Sequence, residues 1–110
     1  MVYVLDDTGK VYSIYGKKNT VTASITVADG LEAICVNPST NLVYAAVGDN
    51  KVCVIEGKKN TVTATITVGS TTSTTGAICV NPSTNMVYAA VGDINTKQYN
   101  GYMCKPICYW

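Results

Sequence analysis

The chain of 110 residues contains no Arg, no His and no Phe. Without His it lacks the commonest general base, the usual haem ligand and the imidazoles of ordinary zinc sites. Its only cationic side chains are eight Lys, set against seven carboxylates for a net charge of +1. That balance supplies neither a dense basic face nor forked guanidinium contacts, so no nucleic-acid partner is expected. No apolar run reaches membrane-spanning length, so no membrane span is expected either. Met1-Val2-Tyr3-Val4-Leu5-Asp6-Asp7 has neither the basic start nor the length of a signal peptide. Helical periodicity is missing throughout, and the length allows one domain.

What is abundant is strand chemistry. Val, Ile, Thr and Tyr make up 46 of the 110 residues, a composition that fits a pleated, half-buried surface. The chain also repeats itself. Residues 16–27 recur as 57–68 with Ser24 replaced by Thr65, and residues 33–49 recur as 77–93 with Leu42 replaced by Met86. Together 27 of 29 aligned positions are identical, at offsets of 41 and 44 residues. The N-terminus enters in the same register, Val2-Tyr3 matching Val43-Tyr44 and Lys10-Val11 matching Lys51-Val52.

Each unit reads as four short strands closed by tight turns. Ala33 to Asn37 is stopped by Asn-Pro-Ser-Thr-Asn, and Leu42 to Val47 by Gly48-Asp49-Asn50. Val52 to Glu56 is stopped by Gly57-Lys58-Lys59-Asn60, and Val62 to Val68 alternates apolar residues with Thr. Four strands in about 40 residues is the arithmetic of a propeller blade. The expected fold is therefore all-β, a partial β-propeller array of four-stranded antiparallel blades, incomplete as a single chain. With strands lettered A to D outward from the axis, residues 1–93 form the blades. Residues 2–27 supply strands B, C and D of a first blade, 33–68 a complete second blade, and 77–91 strands A and B of a third. Residues 94–110 diverge. Within them Tyr99-Asn100-Gly101-Tyr102 is a hairpin signal that would supply shortened C and D strands, the alternative being a frayed tail.

The unit resembles the β-propeller repeat named for its Tyr-Val-Thr-Asn signature. The residues that carry the likeness are Ala-Ile-Cys-Val-Asn-Pro-Ser-Thr-Asn-Leu-Val-Tyr at 33–44, its copy at 77–88, and the stretch from Lys51 to Val68. The resemblance covers residues 2–93. It departs at Tyr44-Ala45-Ala46-Val47, which stands where Tyr-Val-Thr-Asn would be, and in having two to three blades where full members usually have about seven. The resemblance implies an exported or cell-surface setting. Related propellers include sugar-lactone hydrolases and cofactor-bearing dehydrogenases, but none of their functional residues has a matching motif here.

Three groups of side chains carry chemistry. Of the five cysteines, Cys35 and Cys79 hold equivalent places on strand A, where a small buried residue is wanted, and Cys53 lies on strand C. Strands A and C are separated by roughly 9–10 Å, beyond disulfide reach. The three are expected as protected, reduced thiols, which leaves Cys104 and Cys108 as the pair for a bridge or metal. The carboxylates come next. Alternating connections gather Asp6, Asp7, Asp29, Glu32, Asp49 and Asp93, with Lys10 and Lys51, on one rim. Lys17, Lys18, Lys58 and Lys59, with Glu56, fall on the other. The acidic rim is the candidate binding site, either as oxygen ligands for a hard cation or as solvated turns. The third group is the hydroxyl-rich connection 69–76, read as a mobile loop or a polar contact surface. Tyr99, Tyr102, Tyr109 and Trp110 are candidates for closing an apolar end of the array.

Three functional classes fit these residues. A non-catalytic scaffold or binding module leads, because copies this alike leave no blade diverged toward a unique catalytic constellation. A piece of a longer propeller without separate activity is second. A metal-dependent lactonase-like hydrolase, restricted to Asp and Glu ligands, is third. No catalytic residue, cofactor or metal ligand set is assigned. The expected partners are the chain itself or remaining propeller blades, with proteins or carbohydrate as further candidates.

Overall fold

A computed structural model describes residues 1–27, 30–47, 50–69, 73–93 and 104–108. It is all-β, with ten strands and no helix among the described residues. Strands β1 (Val2–Leu5), β2 (Lys10–Tyr15) and β3 (Thr20–Thr26) form the first antiparallel sheet. Strands β4 (Leu31–Asn37), β5 (Leu42–Val47), β6 (Lys51–Glu56) and β7 (Thr61–Thr67) form the second, in that order. The third holds β8 (Ser73–Asn81), β9 (Met86–Asp93) and β10 (Cys104–Cys108), with β9 in the middle. One four-stranded blade is thus flanked by two three-stranded sheets, a partial β-propeller array.

The turns explain why these strands pair in this register. Four hairpins, β2–β3, β4–β5, β6–β7 and β8–β9, each use a four-residue loop that ends on Asn: Asn19, Asn41, Asn60 and Asn85. All four have φ between 52° and 59°, the left-handed region that Asn tolerates better than other non-glycine residues. The loop closes where the Asn41 N–H donates to the Asn37 carbonyl at 2.8 Å and the Asn60 N–H to the Glu56 carbonyl at 2.8 Å. Asn37 adds a second device. Its Oδ1 accepts from the Ser39 N–H at 3.0 Å, and its Nδ2 donates to Asn85 Oδ1 at 3.0 Å. One buried side chain therefore folds its own turn and ties it to the equivalent turn of the next sheet.

Bulges re-aim side chains in all three sheets. In β3 and β7 the extra residues are Thr22 and Thr63. Their hydroxyls donate to the Ser13 carbonyl at 3.2 Å and the Val54 carbonyl at 3.3 Å. In β4 and β8 the extra residues are Glu32 and Gly76. A bulge breaks the period of two, so Val21 and Ala23 fall on opposite faces, as do Val62 and Ala64. Alternation alone puts all of them on one face; Val21 and Val62 are instead 62% and 40% exposed.

Two apolar cores lie between the sheets, one on each side of the central blade. The first joins Val11 and Ile25 to Val43, Ala45, Cys53 and Ile55, with Tyr3 and Leu5 against them. The second joins Tyr44, Val52 and Val54 to Val87, Ala89 and Val91. The central blade is sealed on both faces, which makes β5 and β6 the most buried strands described. Such stacking is how a sheet that cannot bury two faces alone becomes stable.

Three expectations need correction. The connection 69–76 is not a loop throughout: Ser73 to Gly76 extend β8, pairing with Val91 to Asp93, and Thr75 is fully buried. β-branched Thr suits a strand as well as a loop, and a waiting partner strand decides. The third sheet's C place is filled by β10, residues 104–108, pairing with Met86 to Ala90. The expected hairpin at 99–102 lies outside the described residues, as do Tyr109 and Trp110. Finally, Cys104 and Cys108 stand four residues apart on one strand, a Cα separation of roughly 13 Å. That separation is too long for a bridge between them.

Candidate functional site

The acidic rim begins at the β1–β2 turn, and there the chemistry of Asp6 is already used. Asp6 Oδ1 accepts from the Thr8 N–H at 2.9 Å, the Thr8 hydroxyl at 2.8 Å and the Lys10 N–H at 3.0 Å. These bonds, the Lys10 amide first and the Thr8 hydroxyl next, hold the carboxyl below the usual carboxylate range. A hydrogen bond with Asp6 in turn pushes the Tyr12 phenol up. Asp6 therefore shapes a turn, with Gly9 at φ 92° completing it and the Val27 N–H donating to the Gly9 carbonyl at 2.9 Å. The equivalent connection in the central blade uses Asn50 at φ 61°, whose Nδ2 donates to the Gly69 carbonyl at 3.1 Å.

The remaining candidate carboxylates lie on separate turns and strands where they are described. Asp7 is exposed in the same turn as Asp6, and Glu32 is exposed at the bulge of β4. Asp93 ends β9, while Asp29 and Asp49 lie outside the described residues. Among the described residues no group of three His, Cys, Asp or Glu side chains could hold a metal ion. At the opposite edge of the sheets, Lys17 and Lys18 occupy the β2–β3 turn and Lys58 and Lys59 the β6–β7 turn, all exposed.

The thiols do not share one environment. Cys53 is buried, with its sulfur 3.9 Å from the Thr65 hydroxyl. Cys35 is half-buried between the second and third sheets, and burial, with Cys79 nearby, pushes its pKa up to about 12. Cys79 is exposed, which corrects the expectation that it is protected like Cys35. Its strand is the same, but no described sheet covers its face.

The structure supplies candidates that the carboxylates do not. An apolar groove lies between β1 and β4, lined by Met1, Val2, Tyr3, Ile34, Cys35 and Val36. A second, shallower depression is lined by Ala77, Ile78, Cys79, Tyr88 and Ala90. Both are lined mainly by apolar side chains, with no Asp, Glu or Lys among them, so both suit apolar contact. Open apolar ends are expected of an array of two to three blades, and these two surfaces give them residues. The signal was in the repeat alignment, where Val2 and Val4 match Val43 and Ala45, both core residues.

No family model matches the chain, and no curated protein matches it. Among solved structures it is similar to hydrazine synthase from Kuenenia stuttgartiensis, with a TM-score of 0.72 and 19% sequence identity. The match covers 86% of this chain and 29% of that one, so the chain spans under a third of the solved chain's length. At that identity the likeness shows the fold alone. No helix among the described residues is long and apolar enough to cross a membrane.

Proposed function

We propose that the chain is a non-catalytic β-propeller scaffold or binding module, built from repeats of the Tyr-Val-Thr-Asn class. The observation that carries this reading is the identity of 27 of 29 positions between repeat copies. A catalytic site needs one constellation that differs from its surroundings, whereas a scaffold needs the same interface made several times. Two further facts support it. Asp6 is committed to its own turn, and the two concave surfaces described are lined mainly by apolar side chains. The resemblance of the repeat supports an exported or cell-surface setting. Its partners are propeller blades, with a protein or carbohydrate as further ligand.

The test is a turnover screen with lactones and carboxylic esters in calcium, magnesium or zinc. The expected result is no hydrolysis above the blank. Hydrolysis that needs the metal and disappears in Asp7→Asn or Glu32→Gln would overturn the reading in favour of a lactonase-like enzyme.

A further inference from the structure

The two interfaces inside the molecule are made from the same positions. In the first, Tyr3, Val11 and Ile25 of one sheet receive Val43 and Ala45 of the next. In the second, Tyr44, Val52 and Ile66 receive Val87 and Ala89. The repeat offsets of 41 and 44 residues convert one set into the other. The central sheet therefore has two unlike faces, one that advances onto the preceding sheet and one that receives the following sheet; the first sheet repeats the receiving face and the third the advancing one. Strand register confirms the division, since Val2 opposes Ile14 and Val4 opposes Tyr12 on one face, while Tyr3 opposes Ser13 on the other.

Among the described residues two faces remain open, and they are of opposite kind. The first sheet exposes its advancing face: Val2 is 52% and Val4 44% exposed, where their equivalents Val43, Ala45, Val87 and Ala89 are all 0%. The third sheet exposes its receiving face, the depression lined by Ala77, Cys79, Tyr88 and Ala90. Cys79 and Tyr88 are the equivalents of Cys35 and Tyr44, and Tyr44 is only 1% exposed beneath the third sheet. No Asp, Glu or Lys is among the residues named on either face, so no like-charged side chains meet there.

We propose that a second copy of this chain docks its Val2–Val4 face onto the Cys79–Tyr88 face, head to tail. The contact continues the internal blade stack across the boundary between molecules, and it rests on the scaffold reading above. Because the two surfaces differ, each added copy leaves one face of each kind free. Association then proceeds to a ring or an open filament rather than stopping at a two-fold pair.

The experiment is sedimentation velocity on the full chain under reducing conditions. Wild type is expected to form species larger than a dimer as concentration rises. Val4→Lys blocks the advancing face and Cys79→Lys the receiving face, and each variant alone is expected to be monomeric. Mixed in equal amounts they are expected to form a 1:1 heterodimer and nothing larger, because only one compatible pair of faces survives. Val2→Lys and Ala77→Lys replace the first pair if either loses its strand signal in circular dichroism. A monomeric wild type, a single variant that still self-associates, or a mixture that stays monomeric each overturns the proposal. The metal-dependent turnover screen reads the scaffold question separately, so failure of one is distinguishable from failure of the other.

Discussion

Gly16 and Gly57 head the same local sequence, Gly-Lys-Lys-Asn-Thr-Val-Thr-Ala, and sit in the same four-residue hairpin loop. Their surroundings have nothing in common. A Cβ at Gly16 would meet no atom within 4 Å, whereas one at Gly57 would meet Asn41 Oδ1 and the Tyr3 hydroxyl at 2.7 Å and the Asn41 carbonyl at 2.8 Å. The difference comes from the neighbours. Gly57 is packed against the β4–β5 turn, and its N–H donates to the Asn41 carbonyl at 2.9 Å. It also helps to bury the Tyr3 hydroxyl, which has no hydrogen-bond partner among the described residues and whose pKa burial raises. In a repeat array, then, the same sequence sets the same strand-and-turn layout, while burial belongs to the stack.

The largest expected effect of that rule is in the core. Ile55 is fully buried and Ile14 is its half-buried equivalent in the first sheet. Ile55→Ala should cost about 2–5 kcal/mol, within the range for buried large-to-small changes. Ile14→Ala should cost less than half as much, because part of its surface is already in water. Urea unfolding of both variants, at a protein concentration where wild type is monomeric, measures the ratio. Equal costs would mean that the first sheet's outer face is already covered.

The glycines sharpen the comparison at an intermediate scale. Gly57→Ala should destabilise by about 1–3 kcal/mol through overpacking against backbone. Gly16→Ala should fall within about 0.5 kcal/mol of wild type, as surface substitutions usually do. Thermal melts of the pair give the answer, and a neutral Gly57→Ala would show that the β4–β5 turn can move aside.

How much of this was legible beforehand follows the same division. The strands of the central blade could be placed to within two residues, because Asn, Pro and Gly mark each turn with a distinct backbone requirement. The four loop-ending Asn residues were readable as turn chemistry for the same reason. What depends on neighbours was not. Cys79 and Cys35 are the same residue in the same repeat, yet only one is covered by a following sheet. Nothing in the alternation of Val62 to Val68 with Thr marks Thr63 as a bulge, and the bulge is what leaves Val62 exposed. Asp6 was visible as a carboxylate, but its three accepted hydrogen bonds, two of them from backbone N–H groups, were not.

The smallest expected effect concerns the thiols. Cys35 has a folded pKa of about 12 against an ordinary value of 9.0. The fold therefore keeps this proton where the unfolded chain loses it. Its contribution is whole below pH 9 and is lost as pH rises from there toward 12. Cys35→Ala should flatten part of the alkaline loss of stability expected of wild type, read by urea unfolding across that pH range. At a concentration where the chain is monomeric, peptide mapping after brief exposure to an alkylating agent at about pH 8 gives a second reading, with exposed Cys79 modified first and buried Cys53 last. Equal labelling of the three would erase the distinction between covered and uncovered sheets.

The threonine bulges have a consequence for the outer margin of the molecule. Strand β7 reads Thr-Val-Thr-Ala-Thr-Ile-Thr, uncharged, free of Pro and Gly, and paired on one side only. A straight strand of that composition is a template for cross-β growth. Thr63 interrupts it: the extra residue twists the edge and spends its hydroxyl on the Val54 carbonyl, so the free ladder is broken near its middle. Thr22 does the same in β3. The molecule thus keeps one surface chemistry for orderly stacking, face against face, and disarms the other, edge against edge, that would lead to amyloid.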